Sequence, residues 1–134
     1  MEFETGLKIQ QIGFIYQEGR RVGVSPDGII PNKKIGVELK CPITAKVHAD
    51  FLCNDKIKSE YQYQVQLSLY VSGYDSWIFA SFNPSFKSNM LSYKVIEKDK
   101  SIFDRFDNEL PFFINDLDES LSKIGLKWGD QWPL

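Results

Sequence analysis

Apolar residues in the first third of the chain are concentrated in short segments bounded by turn residues, which predicts β-strands. Segments 8–16 and 20–25 are rich in β-branched and aromatic residues, and Gln17-Glu-Gly19 between them predicts a hairpin turn. Segment 35–41 predicts a third strand, which Pro42 ends because proline has no N–H to donate to a β-ladder. Two turns are predicted before this strand, at Pro26-Asp-Gly28 and Pro31-Asn-Lys33.

Apolar positions at helical spacing predict two helices after the third strand. Thr44 is expected to cap a short helix that includes Phe51. Ser59 is expected to cap a longer helix, for which Gly73 is the C-terminal stop. The periodicity thus changes from that of a strand to that of a helix after the third strand.

The rest of the chain is predicted to add two strands and one long helix. Segments 76–82 and 91–97 are strand-like, and apolar residues recur at helical spacing from 101 to 124. Pro111 is expected to start a new turn or to kink this last helix. These elements predict an α+β fold, a mixed β-sheet flanked by α-helices, in a single domain spanning residues 1–134.

Length and composition agree with one globular domain. The chain has 134 residues, of which 43% are apolar and 25% charged, enough to close a single core. Its apolar runs are far shorter than the roughly 20 residues of a membrane span, and its acidic start does not resemble a secretion signal. We therefore expect a cytoplasmic protein, in which Cys41 and Cys53 remain free thiols.

The formal net charge of −2 provides no general attraction to a phosphate backbone. Affinity for DNA would have to come from a local basic surface or from metal ions. Lys33 and Lys34 are candidates for binding the phosphates of a substrate, together with Lys56 and Lys58. Solvated loop charges are an equally good interpretation of these lysines.

Three charged residues near the third strand form a candidate catalytic group. Glu38 and Lys40 are two positions apart in a predicted strand, so their side chains emerge on the same face. Asp27 lies eleven residues before Glu38, and a hairpin-like return of the chain would bring its carboxylate alongside. Two oxygen ligands and one ammonium group would then share a cleft.

This combination suits the metal-dependent hydrolysis of a phosphodiester. Mg²⁺ takes oxygen ligands and is usually held by one or two carboxylates with waters and a substrate phosphate; Asp27, Glu38 and the Leu39 carbonyl provide such oxygens. The ion, for which Mn²⁺ is the expected substitute, lowers the pKa of its water and offsets charge on the phosphate. Lys40 has three open roles: orienting the water, assisting its deprotonation, or stabilising the developing charge. Spacing alone nevertheless favours an exposed ion pair beside an ordinary Asp-Gly turn.

The residues around these charges carry a more specific resemblance. The segments Ser25-Pro-Asp-Gly28, Glu38-Leu-Lys-Cys-Pro42 and Tyr61-Gln-Tyr-Gln-Val-Gln66 resemble the lambda exonuclease family, the YqaJ-type viral recombinases of the PD-(D/E)xK nuclease superfamily. The resemblance implies a restriction-endonuclease-like core and a Mg²⁺-dependent deoxyribonuclease that degrades one strand of duplex DNA from a 5′ end. It also implies a single-strand annealing protein as partner in phage-type recombination, and ring-shaped trimers around DNA.

The same resemblance implies roles for individual residues. Asp27 and Glu38 would be metal ligands, and Lys40 would act on the attacking water. Gln64 matches a family glutamine that reaches into the cleft, and Tyr61 matches a tyrosine one helical turn earlier. Contacts with the substrate are expected from Ser25 and Tyr61. Without the resemblance, a helix rich in tyrosine and glutamine would indicate only a half-exposed packing surface.

The chain also departs from the family. Members extend further at the N-terminus, where a helix bears another acidic residue and an arginine anchors the terminal phosphate. We do not expect Glu2 or Glu4 to replace that acid. Two carboxylates instead of three would hold one metal ion weakly, which leaves strand polarity and processivity open. The alternative is a non-catalytic relative that acts as an interaction or inhibitory protein, and a nicking endonuclease is a third interpretation.

Four further residues have simpler expected roles. His48, the only histidine, is expected on the surface of a helix. Cys41 is expected to be a buried small hydrophobe and not a nucleophile. Trp128 and Trp132 pack either on the domain or on a neighbouring subunit, and the sequence leaves both alternatives open.

Overall fold

A four-stranded mixed sheet forms the centre of the computed structural model, which describes residues 2–54 and 57–131. In chain order the elements are α1 (Glu2–Thr5), β1 (Ile15–Gln17), β2 (Val22–Val24), β3 (Gly28–Ile30), β4 (Ile35–Lys40), α2 (Ala45–Cys53), α3 (Ser59–Ser72), β5 (Ser76–Phe82), β6 (Leu91–Glu97) and α4 (Lys100–Lys123). The strand order is β3-β4-β5-β6, with β4 parallel to β5 and the other pairs antiparallel. β1 and β2 form a separate antiparallel ribbon. The predicted α+β class is confirmed.

The face of the sheet that packs against α2 and α3 holds an aromatic core. Trp77 and Phe79 of β5 are at most 2% exposed and belong to this core. The other buried members are Phe51, Val65 and Leu69. α4 packs against α3, where the Tyr70 ring makes edge contacts with the rings of Phe103 and Phe106. α3 is therefore held between the sheet and α4.

The opposite face of the sheet carries an aliphatic core. Its buried members are Ile30, Val37, Ile78 and Ala80. The chain before β1 covers this face through Leu7 and Ile9, and Gln10 exchanges two backbone hydrogen bonds of 2.8 Å with Ile29. Gly28 permits this approach, because a Cβ there would lie 2.3 Å from the Ile9 side chain. The N-terminal segment therefore closes this face without forming a regular strand.

Gly36 allows Trp77 to lie directly against β4. The two residues are neighbours in the parallel register of β4 and β5. A Cβ on Gly36 would lie 2.2 Å from the indole ring, which is fully buried and has no free space to move into. The position of Trp77 in the aromatic core thus requires a glycine at position 36, near the start of the strand that also carries Glu38 and Lys40.

The N-terminal strands differ from the prediction. Segment 8–16 becomes a regular strand only at Ile15, and the predicted hairpin turn is a 3₁₀ helix at Glu18–Arg20, after which Arg21 has a φ of 53°. The sequence pattern also misses β3, which forms an antiparallel hairpin with β4. A strand of three residues between two turns is too short for alternation to mark it, and β4 supplies the pairing that makes it a strand.

The helices lie close to their predicted positions, with different details at the ends. Thr44 precedes α2 as predicted, but its side chain forms no capping hydrogen bond, and Lys58 takes the capping position before α3 that was predicted for Ser59. Gly73, with a φ of 68°, ends α3 as predicted. α4 continues through Pro111 as one helix. In the described part of the chain, no helix is long and apolar enough to cross a membrane.

Asp99 caps the N-terminus of α4. Its carboxylate accepts hydrogen bonds from the Ser101 backbone and hydroxyl, at 2.9 and 2.6 Å, and from the Ile102 amide at 3.3 Å. The Ser101 hydroxyl and the Ile102 amide hold the pKa of Asp99 below its ordinary value of 3.8. The carboxylate therefore stabilises the start of α4 in its ionised form.

Two predictions about single residues are wrong. His48 is fully buried, with Nδ1 2.8 Å from the Ser81 hydroxyl and Nε2 2.8 Å from the Asn89 carbonyl. Because a carbonyl only accepts hydrogen bonds, Nε2 carries a hydrogen and donates a hydrogen bond to the Asn89 carbonyl. His48 thus ties α2 to β5 and to the loop after it. Cys41 is exposed and not buried, because it lies just beyond β4, where the sheet no longer covers it.

Candidate functional site

The candidate site lies at the C-terminal end of β4, on the sheet face that packs against α3. Gly36, Glu38 and Lys40 alternate onto this face, whereas Val37 and Leu39 belong to the aliphatic core on the other face. Asp27 precedes β3, and its amide donates to the Val37 carbonyl at 3.1 Å. The antiparallel pairing of Gly28 with Val37 therefore brings Asp27 level with Glu38.

Glu38, Lys40 and Gln64 form a closed hydrogen-bonded group. Lys40 Nζ donates to Glu38 Oε1 at 2.6 Å and to Gln64 Oε1 at 3.2 Å. Gln64 Nε2 in turn donates to Glu38 Oε1 at 2.7 Å. Glu38 is only 5% exposed, so the Lys40 ammonium offsets much of the cost of burying its carboxylate. α3 supplies the amide that fixes the ion pair in one geometry.

Asp27 is attached to the same strand by its side chain. Its Oδ2 accepts a hydrogen bond of 2.7 Å from the Leu39 amide. This bond does not use Oδ1, and the bonds to Glu38 do not use Oε2. One oxygen on each carboxylate is therefore left for another partner.

Tyr61 lies beside this group. Lys40 Nζ is 5.1 Å from the centroid of the Tyr61 ring, within the range of a cation–π contact. The ring also packs against Phe79, with centroids 5.5 Å apart. Lys58 Nζ approaches the same ring at 5.9 Å. Tyr61 thus forms one wall of the space in front of Lys40.

Other predicted substrate-binding residues lie elsewhere. The exposed Ser25 hydroxyl donates to the Gly13 carbonyl at 2.7 Å, which ties the N-terminal segment to the chain before Asp27. Lys33 and Lys34 occupy the β3–β4 turn, at the other end of β4. Four residues of extended strand separate Lys34 from Glu38, about 13 Å. The structure therefore does not bring this lysine pair to the carboxylates.

The remaining candidates from the sequence are the aromatic residues Trp128 and Trp132 and the basic residue Lys56. Trp128 packs on the domain, with its ring 4.3 Å from the Arg21 guanidinium carbon. Arg21 also forms two hydrogen bonds of 2.9 Å with Asp118 of α4. Lys56 and Trp132 lie outside the described residues.

The donor set at the site contains only oxygen. Within residues 2–54 and 57–131, no group of three or more His, Cys, Asp or Glu side chains could hold a metal ion. Asp27 and Glu38 provide two carboxylates, and Leu39 between the site residues provides a backbone carbonyl. This set excludes a structural zinc site and agrees with a hard cation that keeps several waters.

A cavity of about 780 Å³ opens next to Lys40, between α2 and α3. Its walls include Phe51, Tyr61 and Phe79, and Ser81 lies at its floor beside Lys40. The sequence does not predict this cavity, because the apolar residues around it have the same spacing as ordinary core residues. The burial of His48 against Ser81 is likewise not visible in the sequence, since the two residues are 33 positions apart.

Comparison with protein families gives one match over much of the chain. The model of the YqaJ-like viral recombinase domain matches residues 1–75, more than half of the chain. The protein ExoD of Escherichia coli strain K12, whose function is uncharacterised, is 42% identical over 78 residues, which are 58% of this chain and 90% of ExoD. Residues 1–75, which the family model matches, include Asp27, Glu38, Lys40, Tyr61 and Gln64.

Solved structures resemble the fold over almost its whole length. An alkaline exonuclease from Laribacter hongkongensis superimposes with a TM-score of 0.81 and 25% identity, over 92% of this chain and 64% of the exonuclease. A phage-related exonuclease from Haemophilus somnus 129PT gives a TM-score of 0.72 at 14% identity, over 92% of this chain and 66% of the other. This chain thus spans about two thirds of the length of these exonucleases.

Proposed function

Because the chain belongs to the YqaJ-like viral recombinase family, we propose that it is a Mg²⁺-dependent deoxyribonuclease. One observation carries the proposal: Glu38, Lys40 and Gln64 form a closed hydrogen-bonded group beside Asp27 at the end of β4. Burying a carboxylate on the packed face of a sheet is costly even with an ammonium beside it, and a nearby carboxylate and lysine held in one geometry are typical of a functional site.

The residues present fit the proposed metal ion. Asp27 Oδ1 and Glu38 Oε2 are not used by the hydrogen bonds that hold the two side chains, and these oxygens with the Leu39 carbonyl would hold Mg²⁺ or Mn²⁺. Bound there, the ion would supply a more acidic water and would offset charge on the phosphate. Removal of the ion by EDTA is expected to abolish hydrolysis.

Lys40 and Gln64 would hold the reacting groups in position. Lys40 Nζ is fixed by Glu38 and Gln64 and cannot swing away from the end of β4 without losing both bonds. An ammonium fixed in this way orients an attacking water or stabilises the negative charge that develops on the phosphate. Gln64 keeps the Glu38 carboxylate in place from the helix side. Pre-organisation of this kind is the usual source of rate enhancement in phosphodiester hydrolysis.

The proposal extends to the mode of action. We infer a 5′-to-3′ exonuclease on the ends of double-stranded DNA, acting in phage-type recombination with a single-strand annealing protein. The support is the family membership and the likeness to two exonucleases over 92% of the chain. A ring-shaped trimer around the DNA belongs to the same proposal.

The decisive experiment measures hydrolysis of end-labelled linear duplex DNA in Mg²⁺. We expect degradation by the wild-type protein, none in EDTA, and a loss of about 10²- to 10⁴-fold in Lys40→Ala. Lys100→Ala, an exposed lysine at the start of α4 with no proposed role in the site, is the matched control and should retain activity. Equal rates for wild type and Lys40→Ala would contradict catalysis at this site, and cleavage of closed circular DNA would favour an endonuclease.

A non-catalytic interaction or inhibitory protein is the second candidate. The observation in its favour is that the described residues provide two carboxylates and no third acidic or histidine ligand. This candidate predicts co-elution with a partner nuclease or annealing protein on a sizing column, with no hydrolysis in Mg²⁺ or Mn²⁺.

A further inference from the structure

The cavity next to Lys40 lies where ligands of mixed sheets usually bind. It opens at the C-terminal ends of the parallel strands β4 and β5, at Lys40 and Ser81, which are neighbours in the register. Its volume of about 780 Å³ falls within the range of about 300 to 1,000 Å³ for sites that enclose small molecules. The cavity is therefore continuous with the proposed site and large enough for a nucleotide.

The walls of the cavity suit a flat aromatic ligand. α2 contributes Val47 and Phe51, the start of α3 contributes Ile57 and Tyr61, and β5 contributes Phe79. These side chains form an apolar slot in which Tyr61 is the partly exposed ring, backed by the nearly buried Phe51 and Phe79. A partly exposed aromatic ring is the kind of surface on which a nucleobase stacks.

Charged and polar groups occur at the rim of the same cavity. Lys40 and Lys58 line it, and both approach the Tyr61 ring. Asn54 donates through Nδ2 to the Asp50 carbonyl, a bond that leaves its side-chain oxygen for another donor. Asp50 also lines the cavity, and Lys46 neutralises its carboxylate at 2.6 Å. A phosphate near Lys40 with a base in the apolar slot would match this distribution of charge.

We propose that this cavity receives the nucleobase of the terminal nucleotide while the adjoining phosphate lies at Lys40. The inference rests on the proposed nuclease function, to which it adds a base-binding subsite. Because stacking depends on the face of a base and not on its edge, all four bases should be accepted with similar affinity. The subsite would thus position a chain end without selecting a sequence.

The test measures binding in EDTA, where no hydrolysis occurs. The probe is a 5′-phosphorylated single-stranded oligonucleotide with 2-aminopurine at its 5′ terminus, and its comparison probe has an abasic tetrahydrofuran residue at the same position. We expect quenching of 2-aminopurine by the wild-type protein. We also expect about 5- to 100-fold weaker binding of the abasic probe, measured by anisotropy of a 3′ label. Equal affinity for the two probes, or no quenching, would overturn the inference.

Variants that fill the cavity test whether the difference in affinity between the two probes arises there. Val47→Phe adds a ring from the partly exposed side of α2 and should reduce the ratio of the two affinities to about one. Val95→Phe is the matched control: Val95 is 58% exposed on β6, on the opposite face of the sheet, and the variant should keep the wild-type ratio. Ile57→Phe fills the cavity from the other wall and replaces Val47→Phe if that variant does not melt cooperatively. A wild-type ratio in a folded, filled variant would contradict the inference.

The two proposals can fail separately. Base-dependent binding in EDTA without any hydrolysis in Mg²⁺ would contradict the nuclease function and support the cavity as a base-binding site. Hydrolysis that depends on Lys40, with equal binding of both probes, would contradict the subsite alone.

Discussion

The two faces of the central sheet use neighbouring residues of the same strand for different purposes. On one face Val37 joins Ile30, Ile78 and Ala80 in an aliphatic core. On the other face Glu38 is also buried, at 5% exposure, but its partners are an ammonium and an amide. Val37 and Glu38 are thus buried to a similar extent, but Val37 contacts apolar side chains whereas Glu38 is held by hydrogen bonds.

This difference predicts that one face of β4 contributes mainly to stability and the other to the proposed activity. Burying an aliphatic side chain stabilises the fold directly, whereas burying a carboxylate is costly and is tolerated only when its partners are fixed. α3 provides such a partner in Gln64, and it lies on one face only. Substitutions on the two faces should therefore separate folding from hydrolysis.

After Lys40→Ala, the largest effect is expected from Glu38→Gln. The variant keeps the size of the side chain but removes a charge and an oxygen proposed as a metal ligand, so hydrolysis of linear duplex DNA should fall by about 10²- to 10³-fold. Urea unfolding should show a midpoint close to that of the wild type, because an amide oxygen still accepts from Lys40. Activity within a few-fold of wild type would remove the functional contrast between the two faces.

Val37→Ala should have the converse result. Val37 is 2% exposed in the aliphatic core, and loss of its methyl groups should lower the free energy of unfolding by about 2 kcal/mol. The rate per folded molecule should be unchanged, since the side chain faces away from Lys40. Urea unfolding and initial rates on the same preparation test this pairing, which a large loss of rate below the unfolding transition would contradict.

A smaller effect on activity is expected from Gln64→Ala. Lys40 and Glu38 each lose one hydrogen bond, and the looser ion pair should reduce the rate by about tenfold. The free energy of unfolding should fall by about 1 kcal/mol, because the buried Glu38 carboxylate loses one hydrogen bond. Gln62→Ala is the matched control, as the same residue type on the same helix without a bond to the ion pair. Equal rates for both variants would show that α3 does not fix the pair.

The smallest effect concerns the cap of α4, away from both faces of β4. Hydrogen bonds from Ser101 and Ile102 lower the pKa of Asp99 in the folded protein. Its stabilisation is therefore present above pH 3.8, its ordinary pKa, and is lost as the pH falls through the lower folded value. Asp99→Asn keeps a capping residue without a charge and should flatten this acid-side decline in thermal unfolding. Asp116→Asn, on the same helix, should keep the wild-type pH dependence.

Elements with a clear period and a strong stop were predictable from the sequence. β5 and β6 have the predicted bounds, and α3 ends at Gly73, because a strand-length apolar run in β5, alternation in β6 and a left-handed glycine are local signals. The short strand β3 was missed because its pairing with β4, and not its three residues, makes it a strand. Packing partners distant in sequence decide such cases.

The candidate site likewise has features that the sequence predicts and features that depend on packing. The common face of Glu38 and Lys40 follows from strand geometry, and their closeness to Asp27 follows from a hairpin. The burial of His48 depends on how α2 packs against β5 and the loop after it, about which a local pattern carries no information. The distance of Lys34 from Glu38, in contrast, follows from the length of the predicted strand.

The parallel pairing of β4 with β5 has a consequence for the order of folding. Lys40 and Ser81 are adjacent in the sheet but 41 residues apart in the chain, and a parallel pair of this separation forms late because a long loop must first close. α3 packs on Trp77 and Phe79 of β5 through Val65 and Leu69, so Gln64 reaches Glu38 only after β5 is in place. A growing polypeptide therefore carries Glu38 and Lys40 for some time before Gln64 is in place to fix them.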